Sequence, residues 1–187
     1  MDSKLQIISG THRGRKLQLP PDGRPTQNRA RIALFNMLES GIVDGAADMM
    51  VWDAFSGSGA FGLECVSRYT NARVVFSDVA ASSVATTRKN LAVLNEGARA
   101  SVVQMDALAA ISKYGSDADV VFLDPPYADA DLGRAFVHKF GKVAKAGAIL
   151  VWEQELNNSV ALDETVWDVL RDKTYGRARF LIAKKKN

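Results

Sequence analysis

The chain has 187 residues, 47% of them apolar and 24% charged; this fits one globular domain with a full core and leaves little length for a second. Its single cysteine, Cys65, excludes an intramolecular disulfide and a cysteine-built metal centre, and no apolar run approaches a signal peptide or a membrane span, so the sequence reads as cytoplasmic with no membrane partner. The net charge of +3 is uneven: residues 1–31 carry +5 and residues 171–187 carry +6, leaving −8 between them, which suits a polyanion at the ends and a different ligand at the centre.

In chain order, KLQIIS (4–9) and KLQLP (16–20) alternate apolar and polar residues around GTHRGR. This predicts a short β-hairpin with a basic tip. PPDGRPT (20–26) is a loop by its Pro and Gly content. TQNRARIALFNMLES (26–40) is helical with Thr26 as N-cap; Ala30, Leu34, Phe35 and Leu38 share one face, while Arg29 and Arg31 fall off it, toward solvent or a ligand. Strands then alternate with helices: strand 49–55, helix 61–69, strand 72–78, helix 80–95, strand 99–106, a short helix through Ile111, strand 119–124, helix 132–140 and strand 148–153. Near-continuous apolar strands such as DVVFLD are buried on both faces, which implies a parallel sheet covered by helices. The runs 165–176 and 177–185 meet at Tyr-Gly with no helix between, and predict an antiparallel hairpin at the sheet's edge. The expectation is an α/β, Rossmann-like, doubly wound, mostly parallel sheet with an antiparallel C-terminal edge hairpin. Residues 1–25 read as a basic β-hairpin extension and 26–187 as the main domain. His12 and His138 are isolated and carry no expected ligand role.

The stretch DAFSGSGAFG (53–62) holds G-x-G-x-x-G at Gly57, Gly59 and Gly62, a spacing associated with dinucleotides. However, Asp53, Asp78, Asp106 and Asp124 all lie at or near the ends of predicted strands, where the ligand crevice of a doubly wound sheet lies. Four carboxylates would oppose a pyrophosphate. S-adenosylmethionine instead offers a sulfonium, an ammonium, a ribose diol and an adenine amine, each suited to a carboxylate. Read this way, D-x-F-x-G-x-G (Asp53, Phe55, Gly57, Gly59, with Ser56 on the same turn) resembles the first motif of class I methyltransferases. Asp78, followed by Val79, is placed to take the ribose hydroxyls. Asp106, followed by Ala107, either accepts from the adenine amine or N-caps the next helix.

DPPY, Asp124, Pro125, Pro126 and Tyr127, follows a buried strand. Consecutive prolines fix an extended, stiff loop. The order resembles the fourth motif of methyltransferases acting on planar nitrogens. An exocyclic amine is a poor nucleophile because its lone pair is delocalised. Asp124 and the Pro125 carbonyl can accept its two N–H groups, aim the lone pair and stabilise developing positive charge, and Tyr127 can stack on the flipped base. The chemistry is positioning for an in-line transfer and calls for no metal.

GTHRGRKL (10–17), RPTQNRARIALFN (24–36), DAFSGSGAFGLE, VFLDPPY and DKTYGRARFLI together resemble the bacterial small-subunit ribosomal RNA guanine-N2 methyltransferases, the RsmD-like family, over nearly the whole chain. The resemblance implies S-adenosylmethionine as methyl donor (product S-adenosylhomocysteine) and a guanine of 16S ribosomal RNA as target. The partner is the RNA or a small-subunit assembly intermediate, and the chain is read as a monomer. There are departures: FSDV stands where the family commonly has V-E-x-D, and Tyr127 stands where Phe is frequent. The basic residues expected to meet RNA are Arg13, Arg15, Lys16, Arg24, Arg29, Arg31, Lys173 and Arg177. The residues alone leave open an N6-adenine methyltransferase acting on RNA or DNA, and a non-catalytic RNA-binding assembly factor.

Overall fold

The computed structural model describes residues 5–21, 28–126 and 129–187. Seven strands, β1 (Met49–Asp53), β2 (Ala72–Asp78), β3 (Ala100–Gln104), β4 (Val120–Leu123), β5 (Ile149–Glu155), β6 (Trp167–Tyr175) and β7 (Ala178–Lys185), form one sheet in the order β3-β2-β1-β4-β5-β7-β6. Strands β1 to β5 are parallel. β7 runs antiparallel between β5 and β6, with a bulge in β6 between Val169 and Arg171. The helices are α1 (Asn28–Glu39), α2 (Ala60–Arg68), α3 (Ala81–Leu94), α4 (Ala107–Tyr114) and α5 (Ala130–Gly141). The expected doubly wound sheet and its antiparallel C-terminal hairpin are both present.

Alternation along the central strands divides the core in two. Val51, Phe122 and Val151 face one side with Leu34, Phe35, Leu38, Phe61 and Val66; Trp52, Leu123 and Trp152 face the other with Ile111, Phe136 and Phe140. The first side is closed by the N-terminal segment, whose Leu5, Ile7 and Leu17 are buried in the same cluster. That segment folds back on itself through Ile7 N–H to Arg15 O and Leu17 N–H to Leu5 O, both 2.9 Å. It forms one isolated bridge, Gln6 with Lys16, rather than two regular strands. Too few residues pair before the chain turns to bond α2.

The docking of this segment explains GTHRGRKL. The buried Glu64 of α2 accepts Ile8 N–H and Ser9 N–H, each at 2.9 Å. Thr11 N–H and His12 N–H bond Ser67 O and Oγ, and the His12 ring meets Glu96 at 2.8 Å. Gly10 is crushed against α2: a Cβ there would lie 2.0 Å from Ser67 O. The basic tip is therefore held at the C-terminal turn of α2. This is the end of α2 opposite the glycine turn that leads into the helix.

Candidate active site

The crevice is built at the carboxyl ends of β1, β2, β3, β4 and β5, from residues of several separate segments. Asp53 ends β1 and is 1% exposed. Its Oδ2 accepts Gly62 N–H from the first turn of α2 at 3.0 Å, while Oδ1 is buried with no donor. Burial above all pushes its pKa up to about 7; the Gly62 N–H opposes this and Asp78 adds to it.

The turn between Asp53 and α2 has the shape its glycines allow. Gly57 and Gly59 both have positive φ, 53° and 78°, a region costly for residues with a Cβ. A Cβ on Gly57 would meet nothing within 4 Å, so this part of the turn faces open space. Gly62 serves close packing: a Cβ there would lie 2.3 Å from the Phe76 ring. Asp78, half-buried, accepts Gly57 N–H on Oδ2 and Ala80 N–H on Oδ1, both at 2.9 Å. It thus ties the end of β2 to the turn. From α3, Thr87 donates to Gly57 O at 2.9 Å and Asn90 to Ser58 O at 2.8 Å. Asn90 also exchanges hydrogen bonds with the backbone of Gln18. These two were missed in the sequence; their only signal is a polar pair on the otherwise buried face of a helix.

Phe55 is half-buried against Phe136 in an edge contact. Ser56 is buried, with no hydrogen-bond partner for Oγ. Val79 is an exposed apolar side chain next to Asp78. Asp106 N-caps α4 through Ala109 N–H at 3.0 Å and Ala107 is buried behind it; the cap uses one carboxylate oxygen, Oδ1.

Asp124 follows β4. It lies on the same sheet face as Asp53, because both continue the alternation of Val51 and Phe122. Pro125 is buried, Pro126 is exposed and its carbonyl accepts Asp129 N–H at 2.9 Å, just before α5. Asp124 keeps part of its surface at the mouth, yet enclosure is the largest influence on it and raises its pKa well above the usual carboxylate range; Glu153 and then Asp53 add to the rise. Glu153, 5% exposed near the end of β5, escaped the sequence reading because it continues an apolar strand. Among the described residues no group of three or more His, Cys, Asp or Glu is arranged to hold a metal ion, and no helix is long and apolar enough to cross a membrane.

An orphan carboxylate oxygen, an orphan hydroxyl and an open glycine turn fit a ligand bearing donors and positive charge, as S-adenosylmethionine does. A separate apolar cleft of about 270 Å³, walled in part by Val137, Trp152, Leu162 and Trp167, opens on the other face of the sheet and contains none of these carboxylates.

Of the basic residues, Arg13, Arg15, Lys16, Arg29, Lys173 and Arg177 are exposed. Arg31 is corrected: it is 2% exposed, bonds Gln6 O and Asn28 Oδ1, and lies 3.8 Å from Glu64. It locks α1 to α2 and the N-terminal segment, and presents no surface to a phosphate. Arg24, Tyr127 and the proposed N-cap Thr26 lie outside the described residues.

Residues 5–184 match the family model described as Conserved hypothetical protein 95. The chain is 36% identical to the ribosomal RNA small subunit methyltransferase D of Escherichia coli K12, over 95% of this chain and 88% of that one. It is 31% identical to the putative rRNA methyltransferase YlbH of Bacillus subtilis, over 97% and 100%. A solved structure of the putative methyltransferase yhhF from Escherichia coli superposes with a TM-score of 0.82 at 31% identity, covering 97% of this chain and 98% of that one. An RNA methyltransferase from Salinibacter ruber in complex with S-adenosyl-L-homocysteine shares the fold, with a TM-score of 0.64 at 20% identity over 88% and 95%. With its carboxylate-rimmed glycine turn and its DPP loop on one sheet, the chain belongs to this family, which groups it with the small-subunit ribosomal RNA methyltransferases D, and it has the Rossmann-like fold of a class I methyltransferase.

Proposed function

We propose that this protein methylates the exocyclic N2 amine of a guanine in 16S ribosomal RNA, using S-adenosylmethionine. The observation that carries the reading is the placement of Asp124 and Asp53 on one face of the sheet, at the ends of adjacent strands β4 and β1. The names of the relatives support ribosomal RNA as substrate, and the choice of guanine N2 rests on the sequence resemblance.

Asp53, Phe55, Ser56, Gly57, Gly59, Asp78, Val79, Asp106 and Ala107 would hold the cofactor. Of these residues, Asp53 and Ser56 each bury a side-chain oxygen with no hydrogen-bond donor or acceptor against it, Oδ1 and Oγ. When bound, S-adenosylmethionine supplies an electrophilic methyl group. Asp124 and the Pro125 carbonyl accept the two amine hydrogens and hold the nitrogen in line. The stiffness of Pro125 and Pro126 keeps those acceptors in place before the base arrives. Tyr127 stacks on the base, a role assigned from sequence alone. Arg13, Arg15, Lys16, Arg24, Arg29, Lys173 and Arg177 supply positive charge for the RNA, and the enzyme acts in the cytoplasm as a monomer, on the RNA or an assembling subunit.

The test is nucleoside mass spectrometry of 16S ribosomal RNA from a strain lacking the gene. N2-methylguanosine should fall at one position and return with the wild-type gene. Asp124→Ala should reduce turnover by about 10²–10³-fold while cofactor affinity holds. Loss of N6-methyladenosine instead would reassign the target, and an unchanged modification pattern would reject the reading.

A further inference from the structure

Glu153 takes no part in the mechanism above, yet it is buried in the same crevice. β4 and β5 pair in parallel with Leu123 opposite Trp152. The residue after each is Asp124, just past the end of β4, and Glu153, within β5; the register carried one step on sets the two side by side, about 4.8 Å apart at the backbone, and Glu153 acts electrostatically on Asp124. Alternation puts them on one face: Val151 and Phe122 lie in the first core cluster, and Glu153 pairs across to Phe180, which lies there too. The arrangement costs stability, because two buried acids repel each other and lose hydration.

We propose that Glu153 is a positioning residue that controls the proton on Asp124 and makes it the acceptor for the proton released by the methylated amine. This rests on the methyl-transfer reading. As the nitrogen–carbon bond forms and the carbon–sulfur bond breaks, the sulfur keeps the electron pair and becomes a neutral thioether. The amine nitrogen becomes cationic and one of its N–H protons must leave. An ordinary carboxylate is a poor acceptor at neutral pH. Beside a second buried carboxylate, Asp124 holds a proton more tightly. It takes the proton from nitrogen and passes it to solvent at the crevice mouth, where part of its surface stays exposed. Glu153 never touches the base.

The charged groups around Asp124 define what else can act on it. Asp53 faces it from β1, with Asp78 beyond on β2. On the β7–β6 side, Glu153 pairs with Phe180 and Phe180 with Lys173, an exposed cation two strands farther out. On the α5 side stand Asp129, Asp131 and Arg134, the last two paired with each other at 3.7 Å. The buried Arg31 of α1 faces Glu64 of α2 at 3.8 Å and donates to Gln6 O and Asn28 Oδ1. Among the described residues Glu153 is therefore the nearest charge by strand register.

The test compares kcat/KM against pH for the wild type, Glu153→Gln and Glu153→Asp, acting on small subunits from a strain lacking the gene. Glu153→Gln keeps shape and removes charge. Its acid limb should move to lower pH by about one unit, with Glu153→Asp, whose charge is withdrawn by one methylene, moving less. A carboxyl-labelled NMR titration of the ligand-free protein should show the Asp124 pKa falling in the same order. That readout needs no turnover, and Glu153→Asp suffices if Glu153→Gln does not fold. Acid limbs and Asp124 titrations that superimpose across the variants overturn the inference and leave the methyltransferase reading intact. No methyl transfer by the wild type on any small subunit defeats that reading and this inference together.

Discussion

Asp53 and Gly62 are joined by one hydrogen bond, Gly62 N–H to Asp53 Oδ2 at 3.0 Å, while the other oxygen of the same carboxylate has no donor and no water-exposed surface. One N–H is too little to offset the burial of a charge, which is why Asp53 titrates near 7 in place of 3.8. A carboxyl whose folded pKa is raised binds its proton more tightly folded than unfolded. Stability therefore falls as pH rises from about 4 to 7, by roughly 4 kcal/mol if this residue acted alone, and stays reduced above. Asp53→Asn cannot ionise. Its melting temperature relative to wild type should climb between pH 4 and pH 8 in the ligand-free protein. A difference that does not vary with pH contradicts the buried, ionisable Asp53.

The same residue links cofactor affinity to pH. A cation favours the ionised carboxylate, so binding of S-adenosylmethionine must expel the proton Asp53 holds below about pH 7. Affinity should weaken as pH drops below that value, approaching tenfold per pH unit. Calorimetry between pH 5 and pH 8 reads this directly, and Asp53→Asn should bind weakly with no such slope.

Asp78 holds the glycine turn through Gly57 N–H and the start of α3 through Ala80 N–H. Both are bonds to a charged acceptor, worth about 1.5–3 kcal/mol each. Asp78→Ala should weaken S-adenosylmethionine binding more than tenfold, since the turn relaxes and the ribose acceptor is lost at once. Asp78→Asn, whose amide oxygen can keep one bond, should fall between. An unchanged dissociation constant in the alanine variant would remove Asp78 from the cofactor site.

Glu64 is fully buried and receives Ile8 N–H, Ser9 N–H and Arg68 Nε, with Arg31 at 3.8 Å. Glu64→Ala leaves a buried guanidinium without its counter-charge and two backbone donors unpaired. The expected loss is about 3–5 kcal/mol, and residues 5–17 should become cleavable by protease before the sheet unfolds. A melt and a digestion pattern like wild type would show that Glu64 does not anchor the N-terminal segment.

Arg13 and Arg15 stand at the C-terminal end of α2, while the glycine turn lies at its N-terminal end; nine helical residues span about 14 Å. Phosphates met by these arginines are therefore remote from the target base. The Arg13→Ala, Arg15→Ala double variant should flatten the log–log salt dependence of RNA binding by about 0.7 to 0.9 per lost contact. The effect should appear on small subunits and shrink on a short RNA carrying only the target loop. Equal slopes for variant and wild type on the subunit would mean that the tip touches no phosphate.

Element order, strand direction and the acids at the strand ends were legible in the sequence because they follow from local rules. A continuous apolar run such as VVFL must be covered on both faces, a glycine turn marks where a strand passes into a helix, and an acid after that strand sits at the crevice. Tertiary structure alone decided which carboxylates share a face. That depends on strand order and register: β5 lies beside β4 and sets Glu153 next to Asp124, though 29 residues separate them in the chain. It also decided the fate of the arginines. Arg29 and Arg31 are two positions apart on one helix. Arg29 is exposed, whereas Arg31 is buried where Glu64, on another helix, sets a counter-charge 3.8 Å away and Gln6, from the N-terminal segment, accepts from its Nη2. Helical periodicity records the direction a side chain leaves its own helix; it carries no record of the partner that makes burying a charge tolerable.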